Sequence, residues 1–230
     1  MQTAKQAHSP IGIIGGMGPE ATALLFQRVV AATPAQDDSE HIPLLIDNDP
    51  RIPSRIAHLI EGDGDDPTPY LCQMAQRLEA ANCQALAMPC NTAHHYAAAI
   101  QASIGIPLLN MVQQTAEVLG AMGVKKVGMF TSPALKLVGV YEEAFAGHGL
   151  EEVFPKNDQA TLRLIREIKA GQQPDSDTMK MVLDELAEEG SEVILVGCSE
   201  LSLYSNSLPT NLPCVDSLDV LRDSIIDFAA

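Results

Sequence analysis

Short apolar runs rich in Ile, Val, Leu and Met alternate with longer amphipathic stretches along this chain, and that alternation limits its fold more than any other feature. Ile11–Ile14, Leu44–Ile46, Ala85–Met88, Pro107–Leu109, Lys126–Phe130, Val193–Val196 and Pro213–Val215 have the length and composition of buried strands. Glu20–Val30, Tyr70–Ala81, Ala93–Ala102, Val112–Met122 and Met179–Glu189 carry apolar residues at helical spacing. Strand and helix in turn predict an α/β fold, with parallel sheet covered by helices on both faces.

A faint internal repeat refines this. Ile11-Gly12-Ile13-Ile14-Gly15 is echoed by Val127-Gly128-Met129-Phe130-Thr131, Ala87-Met88-Pro89-Cys90 by Leu195-Val196-Gly197-Cys198, and Pro107-Leu108-Leu109 by Pro213-Cys214-Val215. The spacing, roughly 110 residues in each case, predicts two similar parallel-sheet lobes with a site in the cleft between them. The first lobe is expected over 1–116 and the second over 117–216. The closing helix, 217–230, with Leu218, Leu221, Ile225 and Phe228 on one face, is expected to pack back on the first lobe. The one long loop, Asn48–Pro69, is crowded with Asp, Gly and Pro.

The formal net charge of −16 argues against nucleic acid, which needs a clustered basic face. It also repels an acidic small molecule at long range, so any cation gathered at a site gains importance. Five scattered cysteines without a CxxC pair suit reduced thiols and a cytoplasmic location. The polar opening Met1–Pro10 has no signal peptide, and no run is long enough for a membrane span.

Two of those cysteines hold equivalent places in the repeat. Cys90 follows a strand in Met88-Pro89-Cys90-Asn91-Thr92-Ala93-His94, and Cys198 does so in Val196-Gly197-Cys198-Ser199-Glu200. Thr92 and Ser199 are the residue types that cap a helix start, which would favour thiolates and lower each pKa from about 8.5. A single cysteine after an apolar strand is most simply a small buried hydrophobe. Two at matching positions, each followed by small polar residues, point instead to paired acid/base chemistry. One thiolate and one thiol on opposite sides of a carbon can remove a proton from one face and supply one to the other. Asn91, Thr92 and Ser199 stand where donors would hold the carboxylate of a carbanion-like transition state.

Other readings fit parts of the chain. Gly16-Met17-Gly18-Pro19-Glu20-Ala21 after a strand, with Asp47 ending the next, matches a dinucleotide fingerprint and an NAD-binding oxidoreductase. Tight turns need glycine sterically as well, and Pro19 suits a first helical position. Cys90, His94 and His95 could contribute to a metal site, but no carboxylate or second cysteine lies nearby in sequence to complete it. A non-catalytic amino-acid binding module would need the cleft and not the thiols.

The two cysteine motifs, together with Ile13-Ile14-Gly15-Gly16-Met17-Gly18-Pro19-Glu20-Ala21-Thr22, Asn48-Asp49-Pro50-Arg51-Ile52-Pro53-Ser54-Arg55 and Asp66-Pro67-Thr68-Pro69, resemble the aspartate/glutamate racemase family, in its aspartate racemase branch. The resemblance runs from about Ile11 to the final helix. It implies a pyridoxal-independent, cofactor-free two-base racemase acting on aspartate or glutamate, with Cys90 and Cys198 as catalysts. It also implies that Arg55 grips the side-chain carboxylate with help from Lys169, that Asn91, Thr92 and Ala93 bind the α-carboxylate, and that Met17 and Thr131 line the pocket. Ser199 and Glu200 of the second motif join the binding set, no metal is implied, and a homodimer is expected. Maleate isomerisation and hydantoin racemisation are the related activities. Two departures bear on substrate choice: the second motif reads Cys-Ser-Glu where Cys-Thr-Glu is usual, and Ser54 precedes Arg55 where the branch tends to have aspartate.

Overall fold

The computed structural model describes residues 9–230; the remaining residues of the Met1–Pro10 opening lie outside that range. The first lobe runs β1 (Ile11–Gly15), α1 (Pro19–Ala32), β2 (Leu44–Asn48), α2 (Thr68–Ala80), β3 (Ala85–Ala87), α3 (Ala97–Ala102) and β4 (Leu108–Leu109). Helix α4 (Met111–Ala121) leads to β5 (Lys126–Phe130), α5 (Pro133–Val138), α6 (Glu142–His148), β6 (Glu151–Val153), α7 (Asp158–Lys169), α8 (Ser176–Glu188), β7 (Val193–Val196), β8 (Cys214–Asp216) and α9 (Ser217–Ala229).

The strands form two four-stranded sheets in the orders β2-β1-β3-β4 and β6-β5-β7-β8, every pairing parallel. The orders are the same path walked twice, which is the repeat seen in the sequence. Central strands β1 and β7 are buried along their whole length because helices cover both faces of each sheet. Each chain path goes to one side of the sheet and then to the other, so a crevice opens at the carboxyl ends of β1 and β3, and again at β5 and β7. Cys90 and Cys198 lie just past β3 and β7.

The helices follow from local chemistry. In α1, Pro19 takes the first turn, Glu20 faces the positive end, and Ala21, Thr22, Leu25 and Val29 bury one stripe. Helix α4 begins with Asn110, whose side chain accepts from the backbone N–H groups of Val112 and Gln113. It then serves both sheets: Met111 joins the cluster of Ile11, Ile13 and Leu25, while Val112, Ala116 and Leu119 join that of Val127, Met129 and Phe145. Helix α9 packs on α1 and α4, with Leu218, Leu221 and Ile225 in the cluster of Ile11, Ile13 and Leu25.

The differences from the sequence reading are local. Glu151–Val153 is an edge strand with two glutamates, too short and too charged to announce itself as sheet. The stretch expected as a helix from Ala93 opens as a 3₁₀ turn, Thr92–Tyr96. There the His94 imidazole Nδ1 takes the Cys90 carbonyl at 2.8 Å, the oxygen an α-helical N–H at that place would use, and the His94 N–H goes instead to Asn91 O. The long loop holds a π-helical turn at Ala57–Glu61. Among the described residues no helix is long and apolar enough to cross a membrane.

Candidate active site

One pocket between the lobes is lined from both sides. Met17, Ser54, Arg55, Ile56, Cys90, Asn91 and Thr92 come from the first lobe, facing Ser132, Ile165, Lys169, Gly197, Cys198, Ser199 and Glu200 from the second. Both thiols are buried but reach this space, each residue 7 % exposed. The loop after β1 can close on the pocket because Gly16 has φ +99° and a Cβ there would lie 2.4 Å from Asp49 O. Arg77, reaching from α2, pairs with Asp47 at 2.6 Å. Gly16 and the acid of the dinucleotide-like motif are thus accounted for by contacts within the protein.

The Cys90 side is pinned by His94. Its Nδ1–H donates to the Cys90 carbonyl, and its Nε2 accepts the Met111 N–H at 3.2 Å, so the ring is neutral in one tautomer. Burial pushes its pKa down to about 4, although the Cys90 carbonyl pulls the other way. Both ring nitrogens are spent on the backbone, which leaves His94 none for a metal. Among the described residues no group of three or more His, Cys, Asp and Glu side chains gathers.

The Cys198 side corrects an expectation. Neither Thr92 nor Ser199 caps a helix: both motifs lead into 3₁₀ turns without a side-chain cap, the second at Leu201–Ser207. The Cys198 thiol donates to Glu200 Oε2 at 3.0 Å. Burial first, and then the Glu200 carboxylate, hold this thiol well above its ordinary range, so Cys198 sits here as a protonated donor. The depressed pKa expected from helix ends does not arise at Cys198, because burial of the thiol and the neighbouring Glu200 carboxylate outweigh a short turn's dipole.

Lys169 Nζ lies 3.2 Å from Glu200 Oε1, and it sits one helical turn from Ile165 on the face of α7 that lines the pocket. Arg55 spends one N–H on Pro53 O at 3.0 Å and has no carboxylate partner among the described residues. The charged groups of the pocket are therefore Arg55, Lys169 and Glu200, a net cationic lining on a strongly acidic protein.

Two residues expected at the pocket line something else. Ala93 is fully buried in the apolar cluster with Tyr96 and Ile100. Thr131 turns its methyl toward Gly197 and gives its hydroxyl to Ser132 O. Ser132 lines the pocket in its place and caps α5 by accepting the Ala134 N–H at 3.2 Å. The Ser132-Pro133 pair after a strand is the signal that could have found it. Asn91 lines the pocket, but its side chain is taken: Oδ1 accepts the Tyr141 hydroxyl and Nδ2 donates to Ser217 Oγ.

The family model described as Asp/Glu/Hydantoin racemase matches residues 14–224. The chain belongs to that family. Membership in the Asp/Glu/Hydantoin racemase family makes it an isomerase of the racemase kind. The broad-specificity amino-acid racemase RacX of Bacillus subtilis (strain 168) is 27 % identical over 225 residues, 94 % of this chain and 96 % of that protein. The solved Picrophilus torridus aspartate racemase superposes with TM-score 0.87 at 27 % identity, over 96 % of this chain and 94 % of that one. Glutamate racemase isoform RacE1 from Bacillus anthracis, at 19 % identity and TM-score 0.70, covers 96 % of this chain and 81 % of its own and shares the two-lobed racemase fold.

Proposed function

We propose that the protein interconverts the L- and D-enantiomers of an acidic amino acid, aspartate foremost, by a cofactor-free two-base mechanism in which Cys90 and Cys198 are the acid/base pair. The observation that carries this reading is that both thiols, from matching places in two repeated lobes, open into one pocket. A thiolate removes the α-hydrogen from one face while the opposing thiol protonates the other, and the two cysteines exchange states with each turnover. With Cys198 held protonated on Glu200, this form of the enzyme is poised for Cys90 to act as base and Cys198 as acid.

Arg55, without a carboxylate partner, takes the substrate's side-chain carboxylate, and Lys169 adds charge at the same end. Thr92 and Ser199 offer backbone N–H groups to the α-carboxylate, where negative charge grows as the α-hydrogen leaves. Met17 lies against the substrate from the first-lobe loop. Work in a reducing cytoplasm suits five free cysteines, and assembly as a homodimer is checked by sedimentation.

Incubating L-aspartate with the enzyme in heavy water tests the proposal. Deuterium at the α-carbon and decay of optical rotation are expected, and Cys90→Ser and Cys198→Ser should each abolish both. A wild-type enzyme inert toward aspartate and glutamate, or a serine variant that still racemises, would overturn it. Because RacX is named for broad specificity, the same assay over a panel of amino acids reads how strictly Arg55 demands an anionic side chain.

A further inference from the structure

A line of buried hydrogen bonds crosses the floor of the cleft. The Tyr141 hydroxyl donates to Asn91 Oδ1 at 2.6 Å, Asn91 Nδ2 donates to Ser217 Oγ at 2.9 Å, and the Ser217 hydroxyl donates to Val196 O at 3.0 Å. Asn91 follows Cys90 directly, and Val196 ends β7 two residues before Cys198. Tyr141 belongs to the second lobe and is fully buried; Ser217 begins α9 and is 1 % exposed. The line therefore joins the peptide beside one thiol to the strand that delivers the other.

Because Ser217 gives its single proton to the Val196 carbonyl, it accepts from Asn91, and the Asn91 amide turns its oxygen to Tyr141. The Thr115 hydroxyl also neighbours Tyr141, and in such buried surroundings a partly satisfied chain is heavily disfavoured. We propose that Tyr141, acting through Asn91 and Ser217, is a positioning residue that sets the span between the two thiols across the cleft. The inference rests on the two-thiol reading above. That reading gives the span its meaning, since both sulfurs must reach one carbon from opposite sides.

Tyr141→Phe removes the hydroxyl and keeps the ring packed on Phe145. Arg55 and Lys169 belong to other parts of the pocket wall, so binding should hold while the reacting geometry loosens. We expect kcat to fall by about ten- to a hundredfold with KM changed by less than about threefold. Ser217→Ala should do the same, and because both variants act through Asn91 the double variant should be little worse than the worse single one. A merely structural role would lower the melting temperature and leave the kcat of the folded fraction intact. Unchanged kcat in Tyr141→Phe, or losses that multiply in the double variant, would overturn the proposal. If Tyr141→Phe gives no folded enzyme, the kcat–KM split of Ser217→Ala decides. Wild-type racemisation is measured alongside, so its absence would refute the two-thiol reading, and its persistence at full rate in the variants would refute the positioning role of Tyr141 alone.

Discussion

Gly197 stands immediately before Cys198, and its replacement by alanine converts a packing detail into a kinetic measurement. Its φ lies outside the left-handed region, so the backbone itself accepts alanine. The obstacle is a neighbour: the new Cβ would lie 2.7 Å from Thr131 Cγ2, where ordinary contacts are 3.4–4 Å. Something must yield by about 1 Å. Thr131 is 4 % exposed and walled in, so part of the displacement falls on the Gly197–Cys198 peptide. Overpacking of this size costs about 1–3 kcal/mol, a fall in Tm of roughly 2–12 °C for a chain of this length. A displacement near 1 Å at a reacting group costs about a hundredfold in rate. Thr131→Ser removes the offending methyl and keeps the hydroxyl; the nearest remaining atom, Thr131 Cβ, is then 3.6 Å away, an ordinary contact. The double variant should therefore recover most of both losses. Calorimetry and α-deuteration rates on Gly197→Ala, Thr131→Ser and the double variant test this together. Full activity in Gly197→Ala, or no recovery in the double variant, would refute the reasoning.

Glu200→Gln keeps an acceptor for the Cys198 thiol but removes the carboxylate that repels its thiolate. The pH midpoint of iodoacetamide labelling at Cys198, followed by peptide mass spectrometry, should move down, and an unmoved midpoint would count against the assigned cause. His94 titrates near 4 in the fold against about 6.5 when free, so the unfolded chain binds the extra proton between those values. Its contribution is complete above about pH 6.5 and is lost as pH falls through about 4, a loss of roughly 3 kcal/mol that urea midpoints should show and that His94→Gln should flatten. Arg28 joins α1 to Asp216 at 2.7 Å and to the Ser202 carbonyl at 2.5 Å. Arg28→Ala strands a buried carboxylate and should cost about 3–5 kcal/mol in urea unfolding.

What could be read from the sequence follows what burial writes into it. Strands covered on both faces, such as Ile11–Gly15 and Val193–Val196, must be continuously apolar and so announce themselves. Glu151–Val153, paired on one side alone, is under no such demand and stays hidden. Between Phe130 and Met179 three helices carry the chain around the second lobe, two of them only six and seven residues long, too short for periodicity to register. At the site, residue type and repeat position singled out the thiols, while Arg55 and Lys169 came from the family resemblance, since an arginine in a loop and a lysine at a helix end are ordinary by type. Side-chain direction was not legible. Asn91 reads as a carboxylate ligand by type and is committed to Tyr141 and Ser217 by packing from far along the chain. The environment of Cys198 likewise depends on how its own motif folds: Glu200, two residues on, turns back to the sulfur where a capped helix would have pointed it away.

Helix α9 closes the face of the first sheet by setting Leu218, Leu221 and Ile225 against Ile11, Ile13 and Leu25. The first lobe is thus completed by a helix that follows the second lobe in sequence. Until α9 has been made, the nascent first lobe presents an uncovered apolar surface, and the contacts that seal it reach across the intervening second lobe's sequence. Such an order of assembly is slow and exposes the growing chain to off-pathway association, so α9 must be made before the first lobe can reach its full stability.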